Sequence, residues 1–221
     1  MHHTPFGLEI LFHLGPVPIS RAVVTTWGIM ALLTLVSWWG TRAAARGGLF
    51  AAALEILVET LEEQVRSILQ RDPWPYLPML GTLFVFLVVA NLSAVVPGVT
   101  PPTGRIETPA ALALIVFFSI HYFGIKARGA GGYFAHFLHP SPMLLPLNIL
   151  GEFTRILSLM VRLFGNMMSH EFVIAIVLYL AGLFLPVPFM LLGILIGVIQ
   201  AYIFTILATV YIGAGIGAVE T

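Results

Sequence analysis

The chain has 221 residues, 59% hydrophobic and only 9% charged, with ten basic and ten acidic side chains and a formal net charge of zero. Its mean hydropathy is +1.00, whereas a soluble domain carries about 25% charged residues, so it reads as an integral membrane protein. Neutrality gives no reason to expect nucleic acid, and the lack of Cys excludes disulfides, thiolate catalysis and cysteine-based zinc sites.

Residues 1–20, with Pro5, Pro16 and Pro18, read as an irregular lead-in without a signal-peptide pattern. His2 and His3 are too short a pair to signal a metal site. Residues 22–41 form a first span, closing on the interfacial pair Trp38 and Trp39 and then on Arg42 and Arg46. Basic residues collect on the cytoplasmic side, which puts that end inside and the N-terminus outside. Over residues 49–70, Glu55, Glu59, Glu62, Glu63 and Arg66 alternate at helical spacing with Leu54, Leu57, Leu61, Val65 and Leu69. This predicts an amphipathic helix lying along the cytoplasmic surface or against partner subunits, its acids forming a solvated stripe. Pro73 and Pro75 break it.

A second span covers residues 76–96, with Asn91 its one strongly polar side chain. After a proline-rich loop holding Arg105 and Glu107, a third covers residues 109–125, carries His121 and returns to Lys126 and Arg128 inside. Residues 129–146 are a glycine- and proline-punctuated cytoplasmic segment. Two long apolar runs follow, residues 147–185 and 189–219, about 58 and 46 Å as helix against a hydrocarbon layer of about 30 Å. They must tilt strongly, protrude or break, and the prolines between them make them antiparallel. The expected fold is an all-α membrane protein of five spans plus one amphipathic helix, in a single membrane domain.

Arg162 lies in the middle of the first long run. A charge at mid-bilayer depth costs roughly 2.5–3.5 kcal/mol, and arginine does not shed its proton to escape it. At about 100° per residue, Arg155 and Ser169 share its face within about 20°, and Asn148 and Asn166 within about 40°. Glu152 and His170 fall about 80° away, and Glu171 points nearly opposite, about 13 Å along the axis. One face thus carries a permanent cation among neutral polar groups, the other a titratable acid. In the second run Gly193, Gly197 and Ala201 form a small-xxx-small seam. Gln200 beside it is placed to accept a hydrogen bond from the Arg162 guanidinium, with Tyr211 further along. Taken singly, Gln200, Asn166 and Asn91 also read as interhelical hydrogen-bond glue, His121 as a packed histidine, and Glu171 with His170 as an internal pair.

Arg162-Leu-Phe-Gly-Asn166, then Glu171 and the later Gln200-Ala-Tyr-Ile-Phe-Thr stretch, resemble the a subunit of F-type ATP synthases in its bacterial and chloroplast forms. The likeness extends upstream through Pro140-Ser-Pro-Met-Leu-Leu-Pro-Leu-Asn-Ile149 and Asn91-Leu-Ser-Ala-Val-Val-Pro97. It implies a stator beside a rotating ring of c subunits, held by peripheral-stalk b subunits and the rest of the synthase, with two offset half-channels for protons or sodium. The indispensable arginine corresponds to Arg162, the access-channel acid to Glu171, the motif asparagine to Asn166, the last-helix glutamine to Gln200, and a cytoplasmic-opening acid to Glu152. Asn148, Asn91, Ser169, His170, His121, Glu107 and Tyr211 complete the expected ion path. Ile156 replaces a chloroplast proline, His170 a bacterial glycine, and Arg105 and Glu107 a chloroplast Asp and Asn. No cofactor, metal or ATP-hydrolysing residue is expected, and the setting is a bacterial plasma membrane rather than a thylakoid. The rival readings are a self-contained transporter or channel, which needs a pore or paired repeats within the chain, and a passive scaffold.

Overall fold

The structure, a computed structural model, describes residues 10–14, 17–44, 48–96, 99, 101–138, 145–182 and 185–217. Arg46, Pro97, residues 140–144 of the upstream motif and the expected end of the last helix at residue 219 lie outside them.

Five helices are long and apolar enough to cross a membrane: α1 (Arg21–Ala44), α3 (Leu77–Leu92), α4 (Glu107–Leu138), α5 (Leu145–Ala181) and α6 (Pro186–Ile216). With α2 (Leu49–Leu69) they make an all-α membrane protein. The one departure is in the lead-in expected to be irregular. There, Ile10–Leu14 (β1) and Val17–Ser20 (β2) pair antiparallel, as suits a stretch rich in β-branched and aromatic residues.

The boundaries have local causes. α2 stops where Gln70 turns left-handed (φ 48°) and donates its N–H to the Arg66 carbonyl. Prolines occupy the first turns of α3 and α6, where a missing N–H does no harm. Gly217, at φ 70°, closes α6. Residues 130–138, expected as an irregular segment, are helical but set at an angle to the rest of α4. The break is Gly129 (φ 74°, ψ 157°), a conformation that glycine alone adopts cheaply.

α6 is the hub, packed against α2, α3, α4 and α5. Its Ala201, Phe204, Ala208 and Ile212 are fully buried against Leu80 and Leu87 of α3, Val116 and Ile120 of α4, and Leu159 and Leu163 of α5. The small residues of α6 seat its neighbours. A Cβ on Gly197 would press on Asn91 of α3, and one on Gly193 would overlap the His170 ring of α5. Helix hydroxyls are internally satisfied, Thr205 and Thr209 donating to carbonyls one turn back, as a medium without water requires.

The amphipathic helix differs from the expectation in one respect. Its apolar stripe, Leu61, Val65 and Leu69, is buried in the chain's own core, and Tyr202 of α6 donates a 3.1 Å hydrogen bond to Gln64. Its acids stay outside, with Glu62 and Arg66 paired at 2.6 Å. The four-residue spacing of 61, 65 and 69 presents one edge to α3 and α6 while the glutamates face away.

Candidate functional site

α5 packs on its neighbours through Leu159, Leu163 and Met167, one row at four-residue steps. Arg162 lies off that row, about 100° round from Leu163, and is exposed. Among the described residues its guanidinium has no hydrogen bond and no ion pair. It stands near the midpoint of a 37-residue helix, about as far from either end as the chain allows. Around it Leu157, Ser158 and Val161 are exposed as well, so the guanidinium stands in a largely apolar surface.

Gln200 does not orient that cation. Its side-chain carbonyl instead accepts a 2.6 Å hydrogen bond from Asn166, joining α5 to α6 one turn beyond Arg162. The expected guanidinium bond is therefore absent, because Gln200 is almost wholly buried behind the row that Arg162 turns away from. The Gln200 side-chain nitrogen is buried without a partner. Asn91 similarly fastens α3 to α6, donating to the Gly197 carbonyl at 2.8 Å while its own carbonyl is unpartnered.

Toward the C-terminal end of α5, Glu171 turns inward from the exposed face. Its carboxylate rests against the backbone of Gly104, in the tight turn Pro102–Gly104 that precedes α4. A side chain at 104 would overlap it. One Glu171 oxygen and the Thr103 hydroxyl are both buried and unpartnered. Arg105 is the nearby cation that acts on Glu171. Glu107, two residues on, accepts a 2.9 Å hydrogen bond from Ser20, which ties the hairpin to the same corner. His170 points elsewhere, into the notch left by Gly193, so His170 and Glu171 form no ion pair. Ser169 is exposed.

Toward the N-terminal end of α5, Glu152 and Arg155 pair at 2.8 Å, one turn apart. The Arg155 guanidinium lies 5.7 Å over the Tyr211 ring of α6. Tyr133, past the kink in α4, is fully buried, and its ring sits where a Cβ on residue 124 would be. Burial, with Glu152 adding to it and Arg128 opposing, pushes its hydroxyl up to about 12. His121 stacks between Phe117 and Tyr133, and its Nδ1 is spent on the Phe117 carbonyl at 2.9 Å. Asn148 is half-buried near the start of α5.

Residues 23–213 match the family described as ATP synthase A chain. Over 221 residues the chain is 58% identical to ATP synthase subunit a 2 of Bradyrhizobium sp. strain BTAi1, spanning 99% of each. It is 46% identical to ATP synthase subunit a 2 of Pelobacter propionicus over 96% of this chain and 93% of that one. With ATP synthase subunit a 2 of Acaryochloris marina it shares 43% over 97% and 92%. The chain belongs to the ATP synthase subunit a family.

It is accordingly a multi-pass membrane subunit of an ATP synthase, acting with that complex's other subunits in ion transport and ATP synthesis. Within this family frame, three contributors escaped the sequence reading. The Pro102–Gly104 turn is buried and forms the wall beside Glu171; two prolines followed by Thr-Gly in a loop between spans were its only signal. The Glu152–Arg155 pair was available from spacing alone, three residues apart on one helix. Tyr133 had no signal, since its burial depends on the bend at Gly129.

Proposed function

We propose that this chain is the stator of the membrane rotary motor, guiding protons or sodium ions through two offset half-paths to and from the carboxylates of a c-subunit ring. The observation that carries the reading is Arg162, a permanent cation exposed at the middle of α5 with no acid among the described residues to neutralise it. An uncompensated charge in hydrocarbon is too costly to keep without a counter-charge arriving from elsewhere. The counter-charge is the ring carboxylate.

Each carboxylate must be neutral to face lipid, since an ionised one cannot be left there. A guanidinium beside it favours the ionised form, so the ion departs as the carboxylate comes up to Arg162. The same cation repels an ion moving straight from one half-path to the other. A full crossing is worth about 2.3 kcal/mol per charge per 100 mV, and that energy drives rotation only while the shortcut is shut. The half-path with Glu171, Thr103, Arg105 and Glu107 opens outward, and the one with Glu152, Asn148 and Tyr211 opens to the cytoplasm. In this orientation the N-terminus is outside and the C-terminus inside a bacterial plasma membrane, with Arg42, Lys126 and Arg128 on the inner side. Peripheral-stalk b subunits are expected to hold the chain against the ring.

The two described cavities, of about 690 and 510 Å3, flank α1, and neither is lined by Arg162, Glu171 or Glu152. In the assembled complex, Arg162→Ala and Arg162→Lys should abolish ATP-driven pumping and synthesis. Coupled activity surviving in Arg162→Ala would end the reading.

A further inference from the structure

The exposed side of α5 carries two arginines, Arg155 and Arg162, about 10 Å apart along the axis. Both are fixed cations, yet of the two only Arg155 has an ion-pair partner among the described residues. Arg155 meets the Glu152 carboxylate at 2.8 Å, with the acid largely buried and the arginine about two-fifths exposed. The second Glu152 oxygen is buried with no hydrogen-bond partner. Here one oxygen is occupied by the guanidinium and the other is sealed.

The other groups of the corner are held by contacts of their own. Tyr133 holds its proton through the physiological range. Arg128, whose guanidinium fills the notch at Gly217, sits on the carbonyl end of α6, where a cation is favoured by the helix dipole. Tyr211 offers Arg155 only its ring face.

We propose that Glu152 serves the inner half-path by cancelling the charge of Arg155, not by carrying the ion, so that Arg162 is the one uncompensated cation on the ring-facing side of α5. This rests on the stator reading above and specifies how that reading works. Without Glu152 a second cation would stand in the exit route. Two unit charges about 10 Å apart at an effective dielectric of about 20 repel enough to slow a passing proton about tenfold.

The test uses the assembled complex in inverted membrane vesicles, with proton flux driven by ATP or by an imposed potential and normalised to complex content. Glu152→Gln should lower flux per complex about tenfold, and the double variant Glu152→Gln with Arg155→Gln should bring it back to within about threefold of the parent. If the double variant is no faster than Glu152→Gln alone, Glu152 is a carrier and the proposal is overturned. If Glu152→Gln lowers complex content but leaves flux per complex unchanged, its role is structural and the proposal also fails. Arg162→Ala in the same preparation separates the two levels. Retained coupling there sinks the stator reading itself, whereas lost coupling there with a silent Glu152→Gln sinks only this inference.

Discussion

The two halves of α5 treat their acids in opposite ways. In the N-terminal half, Glu152 finds its cation on its own helix, three residues on, in a geometry that any straight helix supplies. In the C-terminal half, Glu171 is set against the backbone of a turn 67 positions earlier in the chain, and its nearby cation, Arg105, comes from that same distant segment. Local pairing makes a charge-neutral, self-contained corner. Long-range placement sets Glu171 beside a buried, unpartnered Thr103 hydroxyl, and both acids keep one buried oxygen without a hydrogen-bond partner. Glu152 gives its other oxygen to Arg155 on its own helix, so the N-terminal half is where an acid should cancel a charge, and the C-terminal half, where the acid meets a distant polar turn, is where an acid should handle the ion.

That contrast can be broken most directly at Glu171. Glu171→Gln should slow ion access on the order of a hundredfold without preventing assembly, the scale of losing a proton-transferring group. Flux within a few-fold of the parent would erase the distinction between the halves. Gly104→Val is the next largest test. Its side chain would displace the Glu171 carboxylate, and a misplacement of about 1 Å at a working group can cost as much as a hundredfold. We expect at least about a tenfold loss of flux with complex content unchanged, whereas Gly151→Val, in the other half of α5 where a Cβ meets nothing, should be mild.

A smaller effect is expected at the seam between the halves. Asn166→Ala leaves Gln200 buried with both of its amide groups unpaired, at a cost of about 1–3 kcal/mol. Lowered thermal resistance of the complex, with residual flux still coupled, is the expected readout. Smallest is a pH effect at the N-terminal corner. The folded-state Tyr133 hydroxyl is raised to about 12 from an ordinary value near 10. The neutral form is therefore favoured by folding, and the stability it contributes is whole below pH 10 and lost as pH climbs toward 12. A tyrosinate titration should show one late-ionising tyrosine that disappears in Tyr133→Phe.

How much of this was legible in the sequence follows from the range of each interaction. Five spans, the tilt demanded by the lengths of α5 and α6, and the outward cation at Arg162 came from local pattern: apolar run length, proline punctuation and helical phase. The direction of Glu171 away from Arg162 came from the same wheel. What the wheel could not supply was the third body in each contact. Gln200 was expected to meet Arg162, but the depth at which α6 packs behind α5 gives its carbonyl to Asn166 instead. The first twenty residues looked irregular because prolines dominate them, yet a short hairpin needs only a few paired residues and one anchor, here Ser20 on Glu107. The apolar stripe of α2 was expected on the cytoplasmic surface or against partner subunits; that it packs on α3 and α6 instead depends on where the chain turns back after Pro73 and Pro75.

The central claim is that the Arg162 side of α5 faces a moving carrier. Because the chain has no Cys, a single cysteine reports its neighbours cleanly. Ser158→Cys lies one turn from Arg162 on the exposed side, and it should form disulfides in the assembled complex with cysteines placed beside the carboxylate of the ring subunit. Labelling of that cysteine by a lipid-soluble thiol reagent alone, with no cross-link to the ring at any position, would contradict the account.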